Sequence, residues 1–230
     1  MGMYYTLKNI DVVSVTVVAV RNLMHKPGRD QDAAAPEAGA GPAFAYTAWQ
    51  ILNPSPLAEE QFHYEDKLYV SVRHSDQAWH HHLLRYPVYA GRSYTLVLRG
   101  DDIALQDLPP RAGGTGGVEI LASSPVIDPL SAEIDWYLGG LDPRLARRVG
   151  VTRGVRNGTA AHYQPDNGVL LFLTVPSNHA GQRIYEPSEL QLAQAYKAPA
   201  SATTIGVRLQ YDETGMPVYT FSQRNALSGS

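Results

Sequence analysis

No cysteine occurs among the 230 residues of this chain. A disulfide framework, a thiolate metal centre and a cysteine nucleophile are all excluded by that absence. It suits a reducing compartment, and a cytoplasmic location is expected. Charge is also scarce, at 18% of residues, with a formal net charge of −3 and a pI of about 6.2. A protein that grips phosphates needs a basic excess or a basic stripe. The one close basic cluster, Arg144, Arg147 and Arg148, is small and stands beside Asp142, so no nucleic-acid partner is expected. No stretch of about 18 apolar residues occurs, so no membrane partner is expected either. Near the start, Asp11 interrupts the apolar run and Ser14 and Thr16 alternate with valines. That alternation reads as a strand and not as a secretory signal. No internal repeat of about 20 to 50 residues is found, which excludes a solenoid or propeller.

What the chain does have is short strand-like runs rich in valine, tyrosine and threonine. They cover Asp11 to Arg21, Phe44 to Leu52, Phe62 to Arg73, His82 to Val88, Ser93 to Arg99, Val118 to Leu121, Gly168 to Val175, Ile205 to Tyr211 and Pro217 to Ser222. Turn residues separate them: Asn53-Pro54-Ser55-Pro56, the glycines from Gly113 to Gly117, Asn157-Gly158, Asp166-Asn167-Gly168 and Asp212 to Gly215. Two segments look helical. Pro129 to Val149 has an amphipathic spacing broken by Gly139-Gly140 and Pro143, and Ser188 to Tyr196 opens on a plausible cap. The expected fold is all-β: one antiparallel β-sandwich domain of jelly-roll or Greek-key type over residues 1–230, with a partly irregular or short-helical insert around 128–200.

Candidate chemistry is sparse. His80 and His82 of the His80-His81-His82 run would point to one side of a strand and could ligate a metal, with His74 or Asp76 assisting; the competing reading is a polar loop beside Trp79. Asp30 and Asp32, in a long loop, could wrap oxygens around calcium, and no other cofactor is expected. Asp76 and Trp79 join them as candidate ligand-binding residues. The pairs Glu59-Glu60, Glu65-Asp66 and Asp101-Asp102 read as solvated turns sooner than as acid–base carboxylates. No G-x-S-x-G elbow or phosphate-binding loop is present, and a non-enzymatic protein is expected. Tyrosine is abundant, at 14 against 4 Phe and 3 Trp, which serves packing and binding surfaces alike. Trp49, Trp79 and Trp136 would either fill a core or stack on a sugar ring.

The order of these elements resembles the PixA/AidA family of bacterial inclusion-body proteins. The resemblance rests on the valine-rich strand after Asp11, the loop from Asp30-Gln31-Asp32 through Pro36, and the strand Ala43-Phe44-Ala45-Tyr46. It continues through Glu65 to Val70, Ser75 to Trp79 and Leu83 to Tyr86, and is closest at Val207 to Tyr211, the Gly215 turn and Pro217 to Phe221. It covers roughly the first hundred and last thirty residues; Asp128 to Ala200 has no counterpart. Glu65 stands where the family has glycine, and the family's closing Trp-Asp-Pro is replaced by Gln223 to Leu227. The resemblance implies a self-associating, non-enzymatic cytoplasmic protein that accumulates to high density. A carbohydrate-binding lectin, calcium-dependent through the loop aspartates, is the alternative. A metal-dependent enzyme built on His80 and His82 is the third.

Overall fold

A computed structural model describes residues 3–10, 17–24, 43–64, 67–74, 85–99, 102–109, 116–122, 132–173, 184–185, 196–198, 204–211, 213–215 and 217–224. Among these the chain is all-β, with seventeen strands and no α-helix. In order they are β1 (Met3–Asn9), β2 (Val17–Met24), β3 (Ala43–Thr47), β4 (Gln50–Leu52), β5 (Glu59–Tyr64) and β6 (Lys67–His74). There follow β7 (Tyr86–Val88), β8 (Ser93–Arg99), β9 (Asp102–Asp107), β10 (Val118–Leu121), β11 (Ala132–Gly139) and β12 (Arg147–Val155). The series closes with β13 (Ala160–Leu173), β14 (Ile184–Tyr185), β15 (Tyr196–Ala198), β16 (Thr204–Tyr211) and β17 (Pro217–Arg224). No helix of the described residues is long and apolar enough to cross a membrane.

The chain divides into two compact units, each discontinuous in sequence: residues 1–22, 46–66 and 167–230, and residues 23–45 and 67–166. In the first, a four-stranded sheet runs in the order β17-β16-β1-β5. β1 pairs parallel with β16 and antiparallel with β5, so residues far apart in sequence become neighbours. Leu7, Ile205 and Val207 are fully buried there. Trp49 meets the edge of Phe62, with centroids 6.1 Å apart, and Asn9, also buried, donates to the carbonyl of Pro54 at 3.1 Å.

The second unit is a sandwich in miniature. One layer runs β12-β11-β6-β7 and the other β13-β10-β8-β9. Register pairs Ile134 with Val72 and Thr152, and Trp136 with Val70 and Gly150, which sets these residues on one face. From that face Trp136 stacks on Tyr163 of the other layer, centroids 4.7 Å apart. Its indole N–H donates to Thr152 Oγ1 at 2.8 Å, which satisfies the one polar atom of a fully buried side chain. Gly150 is required by this packing, since a Cβ there would run into the Phe44 ring.

The segment expected to be helical, Pro129 to Val149, is corrected by β11 and β12, which pair antiparallel around a tight turn. Among its described residues the helical turn is the 3-10 stretch Pro143–Leu145. The expected turn at Asp166-Asn167-Gly168 is likewise strand, inside the 14-residue β13. Glu59 and Glu60 open β5 where a solvated turn was expected. The Asn157-Gly158 turn is present, with Gly158 at φ 81°.

Candidate functional site

Asp30, Asp32, Asp76, Trp79, His80 and His82 all lie outside the described residues, as does the Ser188 to Tyr196 segment except for Tyr196, which opens β15. Trp49 and Trp136 are core side chains, 2% and 0% exposed, so neither offers a face to a sugar. Among the described residues no group of three His, Asp or Glu side chains is placed to hold a metal ion.

Two features of the second unit stand out instead. The first is the face of β6, β11 and β12 opposite Trp136. Alternation puts Tyr69, Ser71 and Arg73 of β6 there, beside Glu133, Asp135 and Tyr137 of β11. Asp135 is fully buried. Its Oδ1 lies 3.2 Å from Arg148 Nη1, and its Oδ2 stands 3.7 Å from Arg73 Nε. Glu133 pairs with Arg73 and sits 3.8 Å from Arg153. Two carboxylates thus share three arginines across three strands, and the polar face is buried at Tyr69, Ser71, Asp135 and Tyr137 while its arginines stay partly in water. Tyr137 lies beneath Arg85, whose guanidinium is 4.1 Å from the ring centroid. Burial, followed by the charge of Asp135, pushes the Tyr137 hydroxyl above its usual range; a hydrogen bond with Ser71 pulls the other way.

The second feature is the tip of the β11–β12 hairpin, which this polar face holds in place. Tyr69 Oη donates to the Gly140 carbonyl at 2.5 Å. Arg85 Nη1 donates to the carbonyls of Pro143 and Ala146, each at 2.6 Å. Asp142 caps the 3-10 turn, accepting from the Arg144 backbone N–H at 2.9 Å and from its guanidinium at 3.1 and 3.2 Å. These bonds hold the Asp142 carboxyl below its ordinary pKa. Gly139 passes so close to Ala146 that a Cβ would sit 2.6 Å from its Cα. Outward from this braced turn project Leu141 and Leu145, 84% and 77% exposed.

The opposite layer carries a serine, a glutamate and a histidine in one row across β8, β10 and β13. Ser93 Oγ donates to Glu119 Oε2 at 3.0 Å, and His162 Nε2 lies 4.0 Å from Glu119 Oε1. Both partners address the carboxylate, so the histidine does not stand between the serine and the acid, which is the order of a Ser-His-acid relay.

Sequence reading noticed the Arg144, Arg147 and Arg148 cluster but missed what it does. Arg144 is spent on Asp142, its near neighbour in sequence, and Arg148 on Asp135, a partner that only the register of β11 with β12 brings near. No protein-family model, curated protein or solved structure matches this chain.

Proposed function

We propose that this is a non-catalytic, self-associating protein of the inclusion-body type, in which the β11–β12 hairpin tip meets the same tip of a second copy. The observation that carries the reading is the rigid presentation of Leu141 and Leu145. A loop without a task leaves its apolar residues single and its backbone loosely held. Here hydrogen bonds donated by Tyr69 and Arg85 and accepted by Asp142 fix a turn whose outward side chains are two leucines. The charges between them, Asp142 and Arg144, neutralise each other within the tip, so two tips can meet without like charges opposed. The resemblance to the PixA/AidA inclusion-body proteins points to the same behaviour.

Magnitudes make the contact weak. Four leucines from two copies gain roughly 1.5–3 kcal/mol each on burial, and about 4–15 kcal/mol of lost freedom offsets that gain. Such an interface forms at high protein concentration and dissolves on dilution. Light scattering over a concentration series should show the mass rising with concentration. The variant Leu141→Asp/Leu145→Asp should have a lower mass at every concentration and an unchanged thermal unfolding curve. A monomer at all concentrations would overturn the reading.

A further inference from the structure

The hairpin tip alone joins copies in pairs, because a surface that meets itself about a twofold axis closes on itself. Growth beyond a pair needs a second, different contact. The sheet edges of the described residues differ in how they are protected against one. β4, β7 and β14 have three, three and two residues, and β7 carries Pro87 at its centre. β9 has an aspartate at each end, with Asp107 lying 3.9 Å from Arg92. β5 opens on Glu59 and Glu60, and Glu59 is paired with Lys8 at 2.9 Å. Shortness, proline and charge are the devices that keep sheet edges from pairing with other chains.

β17 has none of them along its middle. It is the eight-residue edge of the β17-β16-β1-β5 sheet, paired on one side with β16 over its whole length, from Pro217 opposite Tyr211 to Arg224 opposite Thr204. Between those ends Val218-Tyr219-Thr220-Phe221-Ser222-Gln223 carries no charge and is rich in residues favoured in strands. Thr220 and Ser222 are exposed. Phe221 is anchored by stacking on Tyr196, centroids 5.5 Å apart, which fixes the strand on its own sheet.

We propose that β17 is a second self-association surface, pairing antiparallel with β17 of another copy to make one continuous eight-stranded sheet. This proposal rests on the self-associating reading above. The occupant follows from the order of residues. Antiparallel pairing centred on Thr220 sets Val218 opposite the second copy's Ser222, Tyr219 opposite its Phe221 and Thr220 opposite its counterpart, so that opposed residues share a face and no charge faces a like charge. It also brings the end of the strand, at Arg224, toward the turn where the second copy carries the exposed Glu213. Parallel, in-register pairing would instead line Arg224 against Arg224. Tip and edge together give two unlike contacts, which is what open-ended packing requires.

The test is the double variant Thr220→Lys/Ser222→Lys, which places on β17 the charge that natural edges use. Sedimentation velocity at high concentration should show wild-type assemblies larger than a dimer, and the variant should stop at a dimer held by the tips. In the wild type, amide exchange across residues 218–223 should slow as concentration rises. Assembly of the variant to the wild-type size, or exchange at 218–223 that ignores concentration, would overturn the edge proposal while leaving self-association standing. A wild type that stays monomeric throughout would remove both.

Discussion

Asp135 of β11 reaches diagonally across its ladder to Arg148, Oδ1 to Nη1 at 3.2 Å, from a position with 1% of its side chain exposed. Val151 is its direct register partner and Tyr137 is that of Arg148. The shift between Trp136 and Tyr137 is what brings the carboxylate and the guanidinium together. This carboxylate also faces Arg73, so Asp135→Ala takes one carboxylate from both arginines, while Arg73 keeps Glu133. Breaking a buried pair from one side costs about 3–5 kcal/mol. Because both arginines keep about a fifth to a quarter of their side-chain area in water, a loss of roughly 2–4 kcal/mol is expected. Urea unfolding of the variant measures it.

The core of the second unit makes a sharper comparison. Trp136→Ala empties a fully buried site against Tyr163 and should cost about 3–5 kcal/mol. Thr152→Val keeps the volume and removes only the acceptor of the indole N–H, so a loss of about 1–3 kcal/mol is expected. Denaturant midpoints of the two variants should rank in that order. Equal losses would mean that the hydrogen bond, and not the ring, holds the layers together.

Alkaline pH should weaken the fold. Burial raises the hydroxyl pKa of Tyr46, Tyr94 and Tyr137 above the ordinary value of 10.0. The folded state then holds protons that the unfolded chain has lost, so stability is full below about pH 10 and falls as pH climbs toward the raised values. Unfolding midpoints taken from pH 8 to pH 11 should decline above pH 10, and Tyr137→Phe should flatten part of that decline.

Tyr69 connects the polar face to the tip. Tyr69→Phe removes the bond to the Gly140 carbonyl and frees the turn, so the two leucines must be ordered on association. Self-association several-fold weaker than wild type is expected, read from the concentration at which mass begins to rise. Association as strong as in the wild type would show that the brace is not needed.

How far the sequence reveals this molecule depends on the range of the interactions. β8, β10 and the β16–β17 hairpin match their sequence runs closely, because alternation and a Gly215 turn are local signals. β11 and β12 look helical because Ile134, Leu138, Leu141 and Leu145 are spaced by four, three and four residues, a helical period. In the fold the first two are buried in a strand and the last two are exposed on a turn, so one spacing hides two roles. Pairing likewise carries β13 through Asp166-Asn167-Gly168, with Val169 to Leu171 laddered to β15. The charged face could not be read at all. Arg73, Asp135 and Arg148 become neighbours only through the register of three strands, two of them far apart in sequence.

The central claim is that this chain meets its own kind, and mass against concentration tests it most directly. Light scattering on untagged protein should give a value above the 25.2 kDa of one chain that climbs with concentration. Leu141→Asp/Leu145→Asp should lower the whole curve. A mass that holds at 25.2 kDa from the lowest concentration to the highest would contradict the account.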